Sequence, residues 1–398
     1  MHVAQISFFN DPEGRAPARL LEAWPSLVDV ADAAASAGVR VSVLQASIHT
    51  HRLTRHEVPY HFLPFGRAPG AEVHRAELAE LLQALAPDVF HVHGLGFVRD
   101  VPLLARLAPH TPILLQDHAD RPPPLWRRGS WRAGFGAAAA VMFCAREQAA
   151  PFGRAGLVHA RMKVFEVPES TSRFAPGDRL RARRVTALQG DPAVLWVGHL
   201  DENKDPLTVL DGIRAAAREL PRLQLHCCFG TAPLLHAVEE RIARDRALRP
   251  RVRLLGRVPH ERVQQLMRAA DLFVLGSHRE GSGYSLIEAL ACGLPPVVTD
   301  IPSFRALTGA GSTLPRDGSI GALWPRGDAG ALCEKLIAAA AQPRARIRAA
   351  ACEFFGKELS FEAVGRKLAA AYQDLAERGR HRRPRSLTMN SAGLLNHA

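Results

Sequence analysis

The sequence of 398 residues has few of the features that mark exported, membrane-spanning or nucleic-acid-binding proteins. Its six cysteines form no Cys-x-x-Cys pair and lie mostly in apolar segments, so we expect them to be reduced and buried, as is typical of cytoplasmic proteins. The first nine residues have no basic leader and no long apolar region, and we interpret them as a first strand, not a signal peptide. No apolar run reaches the length of a transmembrane helix. Any membrane contact should therefore be peripheral.

The sequence also has no zinc-finger spacing and no aromatic pattern of an RNA-binding module, so nucleic acid is not an expected partner. It has no Asp-x-Asp motif, the usual means of holding a diphosphate through a metal ion. The net charge of +12 lies mostly after residue 175, partly in the basic run 178–184 and partly in the tail after 376. Such runs can attract phosphate-rich partners, but a solvated linker and tail are the simpler interpretation.

Apolar runs and helix-like periodicity alternate along most of the chain, which is typical of βαβ units and parallel sheets. In the first part we predict strands at 2–9, 39–45, 88–93 and 112–116, with helices at 18–38, 72–85 and 98–107. A second alternating series runs from Val194 to about 341. The predicted organisation is a domain at 1–177, a linker at 178–192, a domain at 193–350, helices at 351–378 and a disordered tail at 379–398.

The most informative segment is 279–300, which follows the apolar run 271–276. Glu280 precedes a predicted helix, and Glu288 lies about one turn inside it. Gly281 and Gly283 let the backbone approach a ligand closely, and the free amides at a helix start favour an anion such as a diphosphate. Both carboxylates could bind hydroxyl groups beside that diphosphate. The pattern therefore predicts a sugar nucleotide as the ligand.

This Glu-x7-Glu segment resembles the signature of the retaining family 4 glycosyltransferases, which have the GT-B fold of two facing Rossmann-like domains. The resemblance extends to 87–94, 112–118, 194–213 and 252–277, and it covers most of residues 1–375. It implies an α/β protein whose carboxyl-terminal helix crosses back to the first domain. It also implies transfer of a hexose-type sugar from a UDP- or GDP-linked donor, with retention of configuration and without a bound metal or other cofactor. A nucleotide-sugar epimerase or hydrolase of the same fold and a non-catalytic nucleotide-sugar-binding partner protein remain as alternatives.

The resemblance also implies roles for individual residues. His118 would face the donor sugar and Glu280 would bind its hydroxyl groups, and these two are the catalytic candidates. Lys204 would bind the diphosphate and Glu288 the ribose. The other implied donor contacts are His199, Arg257, Val258, Gly281, Ser282, Gly283, Tyr284 and Ser285. The family usually has arginine at the position of His199, and histidine offers a weaker, pH-dependent phosphate contact. The simpler alternatives are a surface lysine, a helix-start charge at Glu280, an exposed Glu288 and a structural histidine.

Acceptor contacts are the least determined by the sequence. The amino-terminal loop has one glycine, Gly14, where the family often has two. The family's acceptor contacts in this loop therefore do not carry over directly to Gly14. The segment 121–132 contains four arginines and two tryptophans, including Arg127 and Arg128. It could recognise the acceptor or dock on an anionic membrane, or its tryptophans could fold back on the core. On the strand at 88–93, we expect His91 and His93 to face opposite sides, and a site role for either is not favoured.

Overall fold

The computed structural model describes residues 1–67, 71–310 and 320–382. In these ranges the first domain contains an eight-stranded sheet with the order β3-β4-β2-β1-β5-β6-β7-β8. Its strands are β1 (His2–Ser7), β2 (Arg40–Ala46), β3 (His51–Arg55), β4 (Val58–Leu63), β5 (Val89–His93), β6 (Ile113–Gln116), β7 (Ala140–Phe143) and β8 (Lys163–Glu166). The β3–β4 pair is an antiparallel hairpin, which the sequence interpretation missed, whereas the other pairs described are parallel.

Helices cover both faces of this sheet. They are α1 (Pro17–Ala23), α2 (Pro25–Ser36), α3 (Arg75–Leu85), α4 (Val101–Leu107), α5 (Arg128–Ala137) and α6 (Ala150–Arg154), with 3-10 turns at Leu95–Asp100, Leu125–Arg127 and Arg146–Ala149. The prediction of a single helix at 18–38 was wrong, because the helix is interrupted at Trp24. Trp24 has φ −128 and ψ 66, outside the helical region, as expected for a residue that precedes a proline.

The second domain contains a six-stranded parallel sheet within the described ranges, with the order β11-β10-β9-β12-β13-β14. Its strands are β9 (Ala193–Val197), β10 (Gln224–Cys228), β11 (Val252–Gly256), β12 (Leu272–Leu275), β13 (Pro296–Thr299) and β14 (Ala322–Trp324). The helices that follow the first domain are α7 (Arg179–Thr186), α8 (Pro206–Ala216), α9 (Leu235–Arg244), α10 (His260–Ala269), α11 (Tyr284–Ala291), α12 (Pro302–Thr308), α13 (Ala329–Ala340), α14 (Arg344–Phe354) and α15 (Phe361–Arg382).

Each sheet reverses its strand order at one point, between β1 and β5 in the first domain and between β9 and β12 in the second. In open parallel sheets, the crevice at the carboxyl ends of the strands beside such a reversal is where ligands bind. The loops after β9 and β12 contain six of the site candidates, namely His199, Lys204, Glu280, Gly281, Ser282 and Gly283. A ligand site is therefore expected at the loops beside these two reversals.

The arginine-rich run at 178–184 is not the solvated linker that we expected. It forms α7, which begins where the Asp178 side chain accepts a hydrogen bond from the Arg181 amide at 3.0 Å. Arg179 and Arg183 form ion pairs with the buried Asp271 at 2.6 and 2.7 Å. A buried carboxylate needs charged partners, and these arginines supply them.

The carboxyl-terminal helix α15 returns to the first domain and packs on α2, as the resemblance implied. Gly365 allows this close contact, since a Cβ there would lie 2.1 Å from the carbonyl oxygen of Ala33. Lys163 of β8 pairs with Asp374 of α15 at 2.6 Å. The helix continues to Arg382, so the predicted tail at 379–398 begins with helical residues, and the remainder of that prediction lies outside the described residues.

The buried apolar residues form one cluster in the second domain and two in the first, one on each face of its sheet. Four cysteines, Cys144, Cys227, Cys228 and Cys292, are buried, and Cys333 and Cys352 are half-buried. All six are free thiols, as expected. In the described parts of the chain, no helix is both long and apolar enough to cross a bilayer.

Candidate active site

The two domains touch each other across a cleft through the loop between β12 and α11. Gln148 of the first domain donates hydrogen bonds to the carbonyl oxygens of Glu280 and Gly281 at 2.9 and 3.0 Å. The Ser282 amide donates to Glu169 Oε1 at 2.8 Å, and the Glu169 amide donates to Ser282 Oγ at 2.8 Å. The loop that the sequence marked as the donor site is thus also the contact between the domains.

Gly281 and Gly283 are needed in this loop for different reasons. Gly283, the residue before α11, has φ +71, a left-handed conformation that favours glycine. At Gly281 a Cβ would lie 2.3 Å from Glu169 Oε1 and 2.9 Å from the Ala119 amide, so there is no room for a side chain. Among the described residues, no side chain caps the start of α11. Its first amides, at Tyr284 and Ser285, are therefore suited to an anion.

Lys204 and Glu280 form an ion pair at the edge of the cleft. Lys204 lies in a turn after β9, where its amide donates to Asp201 Oδ1 at 2.9 Å. Both side chains are mostly buried, with 15% of Lys204 and 12% of Glu280 exposed. The simpler alternatives, a solvated surface lysine and a helix-start charge, do not fit such a pair. The two residues that we predicted to bind the diphosphate and the transferred sugar are therefore neighbours.

Glu288 lies inside α11 and is only 3% exposed. It is therefore not the exposed helix residue of the simpler alternative. It pairs with His260, the first residue of α10. Burial raises the pKa of Glu288, although the hydrogen bond from His260 opposes that shift. The same bond raises the pKa of His260. The sequence suggested no role for His260, although it closely follows the loop with the donor candidates Arg257 and Val258.

That loop holds two further donor candidates, Arg257 and Val258. Arg257 is exposed, and Val258 is half-buried against the second domain's core. Both directly precede the segment that contains His260, the partner of Glu288. This position is compatible with contact to the nucleoside part of a donor.

His199 lies in the loop after β9 and is exposed. Its Nδ1 accepts a hydrogen bond from the Thr231 amide at 3.2 Å. Because Nδ1 accepts this bond, Nε2–H is the donor that the ring has left for a ligand. His199 can offer a diphosphate one hydrogen bond here, where arginine would offer two and a permanent charge.

His118 follows β6 and has both ring nitrogens engaged. Its Nδ1 lies 2.9 Å from Glu169 Oε2, and its Nε2 lies 3.3 Å from His93 Nδ1. Burial alone would lower the pKa of His118, but the charge and hydrogen bond of Glu169, with the charges of Asp120 and Asp117, raise it. His118 is therefore held between a carboxylate, which favours its charged form, and a second histidine.

Our expectation that His91 and His93 face opposite sides was wrong, because residues two apart on a strand share a face. Their rings lie 4.4 Å apart, and His91 Nδ1 hydrogen-bonds with the Tyr372 hydroxyl of α15 at 2.7 Å. Burial lowers the pKa of both rings, that of His91 to about 3. These two histidines are neutral and connect the core to His118.

Asp117 and Glu169 are site residues for which the sequence suggested no role. Burial raises the pKa of Asp117 to about 7, with additional contributions from Asp120 and Glu169. Asp120 accepts hydrogen bonds from the amides of Leu95 and Gly96, which follow β5. The position of Asp117 at the end of a predicted strand was a usable signal, whereas Glu169 comes close only through folding.

Two cavities open at the cleft. One of about 710 Å³ lies between the domains, and residues lining it include Asp117, Arg121, Arg154, Asn203, Arg279 and Glu280. The other, of about 430 Å³, is lined by Ala23, Trp24, Pro25, Ser26, His118, Glu169, Ser170 and Tyr284. The cleft thus has room for small polar ligands on both sides of the Glu169–Ser282 contact.

The acceptor candidates lie elsewhere. Gly14 sits in a turn closed by Asp11 and is not among the described residues that line either cavity. Arg127 and Arg128 do not line these cavities in the described structure either. Of the two tryptophans in that segment, Trp131 folds onto the core, as the simpler alternative required, but Trp126 is 83% exposed.

The chain is similar in sequence to known glycosyltransferases. Residues 178–353 match the family model "Glycosyl transferases group 1". The chain is 27% identical over 241 residues to a GDP-mannose:cellobiosyl-diphosphopolyprenol alpha-mannosyltransferase of Xanthomonas campestris, a match that covers 58% of this chain and 61% of that protein. It is 32% identical to a D-inositol 3-phosphate glycosyltransferase of Geodermatophilus obscurus, over 52% of this chain and 45% of that protein. These matches span less than two thirds of either relative.

Solved structures resemble the chain over almost its whole length. A sucrose-phosphate synthase from Thermosynechococcus elongatus superposes with a TM-score of 0.67 at 20% identity, covering 95% of this chain and 99% of that one. Anabaena HepE in complex with UDP superposes with a TM-score of 0.69 at 17% identity, covering 94% and 100%. The predicted fold class, two Rossmann-like domains facing each other, is confirmed.

Proposed function

We propose that this chain, which belongs through residues 178–353 to the glycosyl transferases group 1 family, transfers a sugar from a nucleotide donor to an acceptor with retention of anomeric configuration. The observation that carries the proposal is the Lys204–Glu280 ion pair beside the uncapped start of α11, with Glu288 buried in the same helix. A cation, free amides and two carboxylates are the groups needed for a diphosphate flanked by two sugars.

In the proposed reaction the bond between the sugar and the diphosphate breaks, and negative charge grows on the leaving phosphate oxygen. Lys204 and the amides that follow Gly283 stabilise this charge, because they are fixed in place before the reaction begins. Glu280 then binds hydroxyl groups of the transferred sugar, and Glu288 binds the ribose. Because the chain's own cations and amides face the diphosphate, we propose that the reaction uses no metal or other cofactor.

The donor is proposed to be linked to UDP or GDP. The mannosyltransferase relative is named for GDP-mannose, and the structure of HepE contains UDP, so both bases occur among similar proteins. The loop with Arg257 and Val258, next to the His260–Glu288 pair, is where the base would be distinguished. A hexose is the proposed transferred group.

The acceptor is proposed to be a glycan or a lipid-linked saccharide. The mannosyltransferase relative is named for a diphosphopolyprenol-linked cellobiosyl acceptor. The exposed side chains of Leu125 and Trp126, next to Arg127 and Arg128, would suit a protein that meets such an acceptor at an anionic membrane surface. We propose peripheral contact with the cytoplasmic face of a membrane through this segment.

The donor site is tested by thermal unfolding with UDP, GDP, UDP-glucose and GDP-mannose, because a ligand that binds only the folded state raises the melting temperature. With the best nucleotide, Lys204→Ala and Glu288→Ala should each lose about 1.5 to 3 kcal/mol of binding free energy by calorimetry, the value of a hydrogen bond to a charged group. Lys335→Ala, on α13, is the matched control. Unchanged affinity in both site variants would reject the assignment.

Product analysis separates the proposed function from its alternatives. A transferase forms a new glycoside with the anomeric configuration of the donor, visible by NMR. Rearrangement or hydrolysis of the donor alone indicates the epimerase or hydrolase. Binding without turnover across a broad acceptor panel indicates a non-catalytic nucleotide-sugar-binding protein.

A further inference from the structure

We propose that Glu169 is a positioning residue for His118: its carboxylate, held by Ser282 of the second domain, fixes the orientation and the charge of the histidine ring. This deepens the proposed function, in which His118 faces the transferred sugar, and its kinetic part rests on that function. Neither the sequence pattern nor the site candidates included Glu169.

Glu169 is held firmly at the contact between the domains. Its Oε1 accepts the Ser282 amide hydrogen and its own amide donates to Ser282 Oγ, both at 2.8 Å. Ser282 is fully buried. Gly281 lacks the side chain that would otherwise collide with the carboxylate. Ser282 therefore holds Glu169 by its carboxylate and by its backbone amide, and a residue fixed at both points can act as a rigid support.

The second oxygen of that carboxylate faces His118. Glu169 Oε2 lies 2.9 Å from Nδ1, and both the charge of the carboxylate and its hydrogen bond with the ring raise the pKa of His118. The other ring nitrogen, Nε2, lies 3.3 Å from His93 Nδ1. Because one ring nitrogen faces a carboxylate and the other a neutral histidine, the ring has one favoured orientation.

Among the described charged and titratable groups around His118, Glu169 is the one that forms a direct ion pair with it. His91 and His93 on β5 are neutral, since burial lowers their pKa. In its own loop, Asp117 has a pKa raised to about 7 by burial and by its acidic neighbours, and Asp120 hydrogen-bonds with backbone amides. Burial favours a neutral His118; Glu169 contributes most to opposing this, and Asp120 and Asp117 contribute less. Without the Glu169 charge, burial should prevail.

The first test measures the ring directly. In protein labelled with ¹³C at histidine Cε1, the resonance of His118 is assigned with His118→Asn and followed by NMR against pH. In Glu169→Gln the midpoint of His118 should move to lower pH, because the neutralised side chain no longer favours the cation. Glu166→Gln, an exposed carboxylate three residues earlier, is the matched control and should titrate like the wild type.

The second test measures turnover of the nucleotide sugar, UDP-glucose or GDP-mannose, that best stabilises the protein. Glu169→Gln should reduce kcat roughly ten- to hundredfold, the cost of a misplaced catalytic group, and shift the pH profile in the same direction as the NMR midpoint. KM for the donor should change little. Glu169→Asp keeps the charge and should recover part of the NMR midpoint. In a His118→Asn background, Glu169→Gln should have little further effect on kcat.

An unchanged His118 midpoint in both Glu169 variants would overturn the proposal, and so would additive losses in the double variant. The NMR titration needs no substrate. If no donor is turned over, the proposed function fails and the titration still decides the role of Glu169. If Glu169→Gln does not fold, Glu169→Asp provides the same two readouts.

Discussion

At the scale of single residues, the candidate site is a set of polar groups that satisfy one another. Lys204 pairs with Glu280, and His260 pairs with Glu288. Partly buried charges are costly unless paired, so these contacts stabilise the cleft until a ligand replaces them. A donor must offer its diphosphate and hydroxyl groups as better partners than the protein's own side chains. The sequence candidates are therefore close together for two reasons, stability and binding.

Asp117 should make the stability of the protein depend on pH. Its pKa, ordinarily 3.8, is raised to about 7 in the folded protein, so the folded state holds a proton that the unfolded state has released. Stability should therefore fall as pH rises from about 4 to about 7. In Asp117→Asn this decline should be smaller, and the melting temperature should exceed that of the wild type more at pH 8 than at pH 4.

Thermal unfolding at several pH values measures this difference. Asp201→Asn, a carboxylate in a cleft-side turn of the second domain, serves as control. A pH dependence identical in Asp117→Asn and the wild type would contradict the prediction.

His199 should limit the affinity for the donor. A histidine attracts a diphosphate by charge only while it is protonated, and protonation is lost as pH rises. Affinity for the best nucleotide should therefore fall as pH rises. His199→Arg should bind about tenfold more tightly, equivalent to about 1.4 kcal/mol, and with a flatter pH dependence. Calorimetry with the two proteins at acidic and alkaline pH measures both effects, and identical profiles would show that His199 does not contact the phosphate.

At the scale of helices and strands, the site depends on where elements end. β12 ends shortly before Glu280, and α11 begins after Gly283, whose left-handed backbone turns the chain into the helix. β6 ends at Gln116, which places Asp117 and His118 at the cleft. Because β6 and β12 are parallel to their neighbouring strands, the loops that follow them lie at the carboxyl edges of the two sheets. Short elements with well-defined ends thus place side chains from distant parts of the sequence in one cleft.

The long helix α15 contacts the first sheet at β5 through Tyr372. Its hydroxyl is buried and hydrogen-bonds with His91, which lies beneath His93 and His118. Tyr372→Phe should destabilise the protein by about 1 to 3 kcal/mol, since it leaves a buried ring nitrogen without a partner. Tyr60→Phe is the matched control, because the buried Tyr60 hydroxyl has no hydrogen-bond partner among the described residues.

Denaturant unfolding of both variants gives the two free energies. The control should cost little, as it removes a hydroxyl that makes no bond. An equal loss in the two variants would show that the His91 contact contributes nothing specific.

At the scale of the whole molecule, the chain forms two sheets, and α15 ties the end of the chain to the first domain. Leu125, Trp126 and Arg127 are exposed and Arg128 is half-buried, in the same segment as Arg121, which lines the larger cavity. An apolar pair beside cations is suited to an anionic bilayer. This surface would bring a lipid-linked acceptor to the cleft from outside.

Replacing Trp126 with Ser, or Arg127 and Arg128 together with Ser, should abolish sedimentation with liposomes that contain phosphatidylglycerol, and leave nucleotide binding intact. Arg214 and Arg218, on and after α8, are replaced with Ser as the control for charge alone. Sedimentation that survives both changes would show that the segment is not a membrane contact.

The sequence by itself determined the fold class and indicated the candidate donor loop. Strand and helix periodicity indicated parallel sheets, and the order of Glu280, two glycines and Glu288 marked a helix start at a strand end. These are local patterns, in which neighbouring residues carry the information. Backbone conformation and the amphipathic period are properties of short segments, so a reader of the sequence can recover them.

The tertiary structure alone decided how these residues are paired. Glu169 meets His118 and Ser282, His260 meets Glu288, and Tyr372 meets His91, across separations of 28 to 281 residues. Two arginines of the supposed linker meet a buried carboxylate for the same reason. Burial then sets the charge of each group, and burial is a property of the packed molecule that no local pattern contains. For that reason the sequence could name Glu280, Glu288 and His118, while the role of Glu169 became visible only in the folded chain.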